Sequence, residues 1–479
     1  MLETITQELR EILEQTPELH QAYLVGGCVR DWLLGFPVKD YDIEVFGISY
    51  EQLVAALARW GRTDLVGRSF GVVKLNTRSG AFYDFTIPRR DSKVAAGHKG
   101  FSITFDPSLQ PRDAAARRDF TVNSLMFDPR QSKVLDFFGG EADLRNRVLR
   151  HTSEAFVEDP LRVLRGMQFA SRFELSAAPE TVQLCKSIKA SLPELAPERV
   201  REEWFKWASK SKKPSLGLKF LMETEWVDHF PEIKALQATP QDPEWHPEGD
   251  VFVHTCHCCD MLVTLPGWQT ADEESRIVYA LATLAHDFGK PKTTQRALRE
   301  GKERIISPAH EELGVEVAEA FLKRINAPNS VIERIPPLIR NHMSHLLPIT
   351  DRSVRRLAKR LEPENIHGLA LLMTADSMGR PPRPAVVPQF VKDLEAKAGE
   401  LNVQASAAKP ILMGRHLLEL GLRAGPQFKQ ILNSAYEAQL EGAFFSLPGA
   451  FQWLTTQEMD LPEAVLERLK DQGRISRIE

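Results

Sequence analysis

Short runs in which apolar and polar residues alternate dominate the first part of the chain. Ala22–Val25, Tyr41–Val45, Gly71–Leu75 and Ala81–Ile87 carry this two-residue period, the mark of half-buried strands. Between them lie stretches with the longer period of amphipathic helices, beginning with MLETITQELREILEQ. The pattern to about residue 150 predicts a small α/β unit around a mixed sheet. From about Pro160 the period is helical almost throughout, with proline and glycine at the turns. ATPQDPEWHPEGD (Ala238–Asp250) is rich in proline and acidic residues and reads as a junction, and RPPRPAVVPQF from Arg380 reads as another. The expected class is α+β, with a mixed-sheet unit over 1–150 and helical units over 151–237, 238–385 and 386–479.

Composition narrows the class. With 43% hydrophobic and 26% charged residues the chain looks globular, and no apolar run is long enough to span a membrane. Five cysteines form no secreted framework, and the charged N-terminal helix is unlike a signal peptide, so the expected location is the cytoplasm. A net charge of -4 argues against indiscriminate nucleic-acid coating, but a local basic surface remains compatible with it.

Candidate chemistry begins in LVGGCVRDWLLGFPVKDYDIEVFG. Strand alternation puts Asp40 and Asp42 on one face, and paired carboxylates persist most easily around a divalent cation. Hard oxygen ligands suit Mg²⁺, which is typically shared with substrate phosphates. Gly26 and Gly27 lie between a strand and a helix start, where backbone N–H groups can cradle phosphate, and Arg30 adds a charged fork. Asp84, flanked by apolar residues in FYDFTI, is a third carboxylate. Three carboxylates and a phosphate cradle fit two-metal nucleotidyl transfer.

Four further motifs follow in order: RRDFTVN (Arg117–Asn123), DFFGGEADL (Asp136–Leu144), EDPLR (Glu158–Arg162) and PERVREE (Pro197–Glu203). Together with the opening stretch they resemble the motif series of tRNA nucleotidyltransferases, in particular bacterial CCA-adding enzymes and their poly(A) polymerase relatives. The resemblance implies a catalytic head followed by a helical neck that selects nucleotides and binds RNA. It implies that Arg118, Asp119 and Arg165 contact nucleotide, ribose or triphosphate. Asp159 and Arg162 are three apart on a helical run and share a face. A carboxylate can accept from the amino group of cytosine or adenine while a guanidinium donates to the ring nitrogen. Uracil and guanine present the opposite polarity, leaving buried groups unpaired at about 1–3 kcal/mol each. The resemblance implies the same base-reading role for this pair; standing alone, EDPLR would read first as an ordinary helix-start salt bridge. The stretch Pro88–Ala115, rich in Gly, Pro and charge, is expected to be a functional loop, and in the family a loop here is implicated in the switch from C to A addition.

The later helical region carries His254, then LAHDFGK (Leu284–Lys290) and ADSMGR (Ala375–Arg380). This resembles the metal-dependent HD phosphohydrolase pattern, which implies His254, His286, Asp287 and Asp376 as ligands of an unidentified divalent metal. It also implies phosphatase or 2′,3′-cyclic phosphodiesterase activity. His310 and His342 would add a second metal or phosphate site, or serve as structural histidines. In HTCHCCD the cysteines point around the helix and are assigned to packing, with only His254 kept as a ligand.

The expected activity is addition of CCA to tRNA 3′ ends from CTP and ATP, with no template. The expected partner is the acceptor arm and 3′ end of tRNA; no membrane and no DNA are expected. The alternatives are CC-only addition, poly(A) synthesis, or an HD phosphohydrolase regulated by a nucleotidyltransferase-like domain.

Overall fold

The computed structural model describes residues 5–38, 40–64, 71–93, 101–457 and 462–475, with backbone alone over 90–93, 101–104 and 470–475. Two compact units result. One comprises Met1–Lys234 with Arg324–Asn326, and the other Ala235–Lys323 with Ala327–Glu479.

The first unit is built on a seven-stranded sheet. Its strands are β1 (Ala22–Val25), β2 (Asp42–Val45), β3 (Gly61–Asp64), β4 (Val72–Thr77), β5 (Phe82–Thr86), β8 (Met126–Asp128) and β9 (Lys133–Leu135), in the order β3-β4-β5-β2-β1-β8-β9. A separate antiparallel hairpin joins β6 (Arg89–Lys93) to β7 (Phe101–Phe105). The β2–β5 pair is parallel and its neighbours in the sheet are antiparallel, so the sheet is mixed as expected. Alternation drives Ile43, Val45, Tyr83 and Phe85 into the core and leaves Asp42, Glu44 and Asp84 on the other face. The stretch expected as an irregular loop over Pro88–Ala115 contains the β6–β7 hairpin and the start of a helix (Pro111–Ala116); residues 94–100 at its centre lie outside the described residues.

Behind the sheet the chain turns helical. Pro197 and Pro214 sit at the first turns of helices Pro197–Lys210 and Pro214–Glu223, where a missing N–H costs nothing. Both helices pack on Leu161–Phe173. The crossing with Pro214–Glu223 is close because it uses glycine. A Cβ on Gly217 would stand 2.3 Å from Ser171 Oγ and 2.5 Å from Met167 O, and one on Gly166 would stand 2.6 Å from Phe220. Gly217→Leu must therefore separate the helices; a loss of about 1–3 kcal/mol in denaturant unfolding is expected. An unchanged midpoint would show that the crossing is not tight.

In the second unit, capping residues set the helix starts. Asp250, Asp272 and Asn365 accept from the backbone N–H of Val253, Ser275 and Gly368, opening Val251–Leu262, Glu273–Ala285 and Ile366–Met378. These three helices pack together. The helical expectation missed one element, an antiparallel ribbon of Gln295–Arg299 and Lys302–Ile306. Its strands are largely polar and its turn, Glu300-Gly301, has positive φ at both residues, which suits a tight hairpin. Farther on, helices Gly414–Glu419, Pro426–Leu440, Leu447–Thr455 and Glu463–Ile475 enclose their own apolar cluster, including Leu417, Ile431, Phe451 and Leu469.

Candidate functional site

Among the described residues, each unit contains a chemically dense cavity. In the first, a cleft of about 650 Å³ opens over the polar face of the sheet. Parallel pairing sets Asp42 directly opposite Asp84, so the two carboxylates project side by side from neighbouring strands. Loss of water around Asp42 raises its pKa; Arg118 opposes this, while Asp84, Asp40 and Glu44 push it further up. A crowd of mutually repelling carboxylates beside open solvent is a donor set that a divalent cation would relieve. Lys74, 3.8 Å from Asp84, offers only partial compensation.

Gly26 lies at the mouth of this cleft with φ of +70°, and a Cβ there would come within 2.7 Å of Arg118 Nη1. Gly27 begins a seven-residue helix. Arg30, one turn on, is buried. Its guanidinium donates to Asp31 and to Asn123 Oδ1 (2.5 Å) and lies over the Phe173 ring at 4.1 Å. Arg118 pairs with Glu44 at 3.3 Å, two residues along β2 from Asp42. Asp119 is buried and accepts from Phe120 N, Asn123 Nδ2 and Arg165 Nε. Burial works to raise its pKa, but Arg165 and these hydrogen bonds hold it below the usual carboxylate value.

Asp159 and Arg162 both line the cleft, yet they do not bridge to each other among the ion pairs of the described residues. Arg199, at the start of helix Pro197–Lys210, binds Asp159 Oδ2 at 2.8 Å, and Leu161 N donates to Oδ1. Arg162 donates to Ala155 O and Arg117 O, both at 2.7 Å. Each base-reading candidate is thus held by a third party, with hydrogen-bonding capacity left over. Glu44 and Arg199 escaped the sequence reading, although the alternation Asp42-Ile43-Glu44 and the motif PERVREE contained them. Arg172 and Lys206 add to the basic lining.

The second cavity, about 380 Å³, lies wholly in the second unit. Asp287 and Asp376 line it, and the fully buried His254 and His286 stand against them. His254 Nε2 is 3.1 Å from Asp376 Oδ1 and 3.7 Å from Asp287 Oδ2, and His286 Nε2 is 3.2 Å from Asp287 Oδ2. The imidazoles are oriented from behind. Nδ1 of His286, His310 and His342 reaches Thr283 O, Ser307 O and Ile339 O at 2.7, 2.8 and 2.6 Å, and Nδ1 of His254 reaches Glu248 Oε1 at 2.8 Å. Donation from Nδ1–H to a carbonyl leaves the Nε2 lone pairs of His286, His310 and His342 facing inward. The Nε2 atoms of His310 and His342 stand 3.2 Å apart. His286 Nε2 and Asp287 Oδ2 are buried without a hydrogen-bond partner, although Lys290 Nζ approaches Asp287 Oδ2 to 2.8 Å. Inward-facing lone pairs with no hydrogen to share are what a metal cation requires. Asp287 also belongs with His310 and His342, so it stands between two such groups.

Two parts of this cavity depart from the sequence reading. Ala238–Asp250 is more than a junction, because Gln241, Asp242, Trp245 and His246 line the cavity and Glu248 braces His254. Cys258 is more than packing, because its thiol shares one cluster with His254, His286 and Asp376. The signal was available in the i, i+4 spacing from His254. Cys256 and Cys259 are buried, as the packing assignment expected. The basic run Asp351–Arg360 is largely neutralised within the unit: Arg352 pairs with Glu441, Arg356 with Glu437 and Glu441, and Lys359 with Glu362.

The comparisons with known proteins follow this division. The Poly A polymerase head domain matches residues 22–150 and the HD domain matches residues 255–378. A multifunctional CCA protein of Xanthomonas campestris pv. campestris is 35% identical over 435 residues, covering 88% of this chain and 98% of its own. One from Acinetobacter baumannii is 31% identical over 427 residues, covering 85% and 98%. The chain belongs to the multifunctional CCA protein family. The fold agrees. The Bacillus stearothermophilus CCA-adding enzyme in complex with CTP aligns with a TM-score of 0.62 at 21% identity, covering 99% of this chain and 100% of that one. The Thermotoga maritima CCA-adding enzyme complexed with a tRNA aligns with a TM-score of 0.55 at 17% identity, covering 100% and 97%. As a member of this family the chain is a nucleotidyltransferase joined to an HD domain. No helix among the described residues is long and apolar enough to cross a membrane.

The electrostatics of the HD cavity predict acid sensitivity. Burial lowers His246 to about 4, with Glu248 opposing and Lys290, His254 and Arg380 assisting. Burial acts to raise Glu248, but hydrogen bonds from His246 and His254 bring it down to about 2. Both groups bind fewer protons folded than unfolded. The stability tied to His246 is therefore complete above its ordinary 6.5 and is lost as pH falls through about 4. Thermal melting of metal-free protein between these limits should show a shallower pH slope for His246→Asn than for wild type. Parallel slopes would contradict it.

Proposed function

We propose that this protein adds C, C and A in turn to tRNA 3′ ends from CTP and ATP, without a template, and that its HD domain hydrolyses phosphoesters. The observation that carries the first activity is the register of Asp42 against Asp84 in a basic cleft that also holds Asp159 and Arg162. Identity of 35% over most of the chain with a multifunctional CCA protein supports it. In this reading Asp40, Asp42 and Asp84 would hold Mg²⁺, which when bound would supply positive charge to the attacking hydroxyl and the leaving pyrophosphate. The cleft around Gly26, Gly27 and Arg30 seats the triphosphate, and Arg118 and Arg165 add positive charge. Asp119 anchors Arg165 and borders the ribose. The tRNA 3′ hydroxyl attacks the α-phosphorus, and pyrophosphate leaves. Asp159 accepts from the exocyclic amine of C or A while Arg162 donates to the ring nitrogen. Both are fixed before the nucleotide arrives, so selection requires little rearrangement.

The HD activity rests on His254, His286, Asp287 and Asp376 as ligands of a divalent metal, with Lys290 and Arg380 at the same cavity to receive phosphate oxygens. A bound ion there would supply a water of lowered pKa for attack at phosphorus. The domain scheme we infer is head 1–150, neck 151–237, HD domain 238–385 and tail 386–479, working on tRNA in the cytoplasm with no DNA partner.

The test is incubation of purified protein with tRNA lacking its terminal CCA, CTP and ATP. Complete CCA ends are expected. Products halted at CC, or long A tails, would replace this reading with the CC-adding or poly(A) alternative. Phosphoester hydrolysis without any addition would leave only the HD reading.

A further inference from the structure

Cys258 lies one turn beyond His254 on helix Val251–Leu262 and is buried. Its Sγ stands 3.3 Å from His254 Nε2, the same atom that lies 3.1 Å from Asp376 Oδ1. One donor atom each from His254, Cys258, His286 and Asp376 falls within 4.8 Å of all the others. Metal–sulfur and metal–nitrogen bonds of about 2.3 and 2.1 Å at a tetrahedral angle put their donors roughly 3.6 Å apart. The two edges that meet at His254 Nε2, 3.3 Å to Cys258 Sγ and 3.1 Å to Asp376 Oδ1, approach that spacing. His286 Nε2, buried and without a hydrogen-bond partner, points into the same space, a second sign that something other than a proton belongs there.

The thiol is given room. A Cβ at Gly379 would stand 2.6 Å from Cys258 Sγ and 2.8 Å from Cys258 N, so any other residue there would displace the sulfur. His254 is fixed through Nδ1 by Glu248, which keeps Nε2 turned toward the sulfur rather than away from it.

We propose that Cys258 is a thiolate ligand of the HD-domain metal, and that the mixed sulfur, nitrogen and oxygen set makes this a site for a thiophilic transition ion such as Zn²⁺ or Co²⁺ rather than Mg²⁺. The inference rests on the reading of the HD cavity as a metal site; it sets Cys258 with His254, His286 and Asp376, groups Asp287 with His310 and His342, and adds a class of ion. Binding exchanges the thiol proton for the metal: the S–H bond breaks, an S–metal bond forms, and the proton leaves to solvent. Soft thiolate disfavours hard cations, whereas the all-oxygen set of Asp40, Asp42 and Asp84 favours them. The two units thereby sort two classes of metal within one chain.

The test uses the full chain, stripped of metal by chelator and titrated with Co²⁺ under reducing, anaerobic conditions. Wild type is expected to develop a sulfur-to-cobalt charge-transfer band in the near ultraviolet that saturates at one equivalent. Carboxylate-bound Co²⁺ in the head gives no such band. Cys258→Ala should lose the band and bind Co²⁺ at least about tenfold more weakly, on the scale of a lost metal contact. Cys258→Val, which fills the space of the thiol, should behave likewise with unchanged melting, and Cys256→Ala should keep the band. One equivalent of Co²⁺ bound without a band, or a band that survives in Cys258→Ala, overturns the thiolate while leaving the HD metal intact. Failure of wild type to bind Co²⁺ in the second unit overturns both.

Discussion

Asp42→Asn is expected to reduce CCA addition by roughly 10³-fold, about 4 kcal/mol of transition-state stabilisation, with phosphoester hydrolysis by the HD domain unchanged. Asparagine keeps the shape of the side chain and removes its charge, so the β2–β5 register should persist. What is lost is half of the carboxylate pair that Asp42 forms with Asp84. The raised pKa of Asp42, caused by desolvation and by Asp84, Asp40 and Glu44 against the pull of Arg118, has a further effect. Protons compete with metal for this carboxylate at higher pH than usual, so addition by wild type should decline on the acid side sooner than an ordinary aspartate predicts. Single-nucleotide incorporation at saturating CTP, alongside hydrolysis of a phosphomonoester, measures both arms. Addition within tenfold of wild type would remove Asp42 from the metal site.

Asp159→Ala should mainly damage choice. In wild type the carboxylate is immobilised by Arg199 and Leu161 N, and Arg162 is tied to two backbone carbonyls. If Asp159 reads the base as we propose, its removal leaves C and A without one hydrogen bond and relieves the mismatch against U and G. Discrimination of CTP and ATP over UTP and GTP, measured as a ratio of kcat/KM, should fall about 10- to 100-fold, the worth of one unpaired buried group. Arg199→Ala should cause a smaller loss of the same kind, because Asp159 stays but is no longer aimed. Unchanged selectivity in Asp159→Ala would shift base reading to other residues of the cleft.

Much of the head was legible from alternation alone, since strands that bury one face display a period of two. Strands β8 and β9, three residues each, were not, and neither was β3, Gly61–Asp64, which is mostly polar. The opposition of Asp42 and Asp84 depends on a parallel pairing between strands separated by β3 and β4, and no local pattern encodes it. In the second unit the ligand motifs were visible. Glu248 was hidden because composition marks a Pro- and acid-rich stretch as a connection without saying what it folds against. Cys258 was hidden because it is one of three cysteines in HTCHCCD that point around the helix, and only its position one turn from His254 sets it apart.

The Nδ1 anchors of the HD cavity carry a consequence for how its histidines can vary. His286 and His342 are the residues that close helices Glu273–Ala285 and Ile335–Asn341, and each returns its Nδ1 to a carbonyl of its own last turn. Thr283 O belongs to the set that a helix end leaves without intrahelical partners, and Ile339 O, which also takes the backbone N–H of His342, gains a second donor. The same ring therefore caps a helix with one nitrogen and offers the other to the cavity. An aspartate in its place could still coordinate an ion, but an ionised carboxylate has no proton to give the carbonyl. At these two positions the ring that closes the helix is also the one turned toward the metal site we propose, so a substitution that keeps one role sacrifices the other.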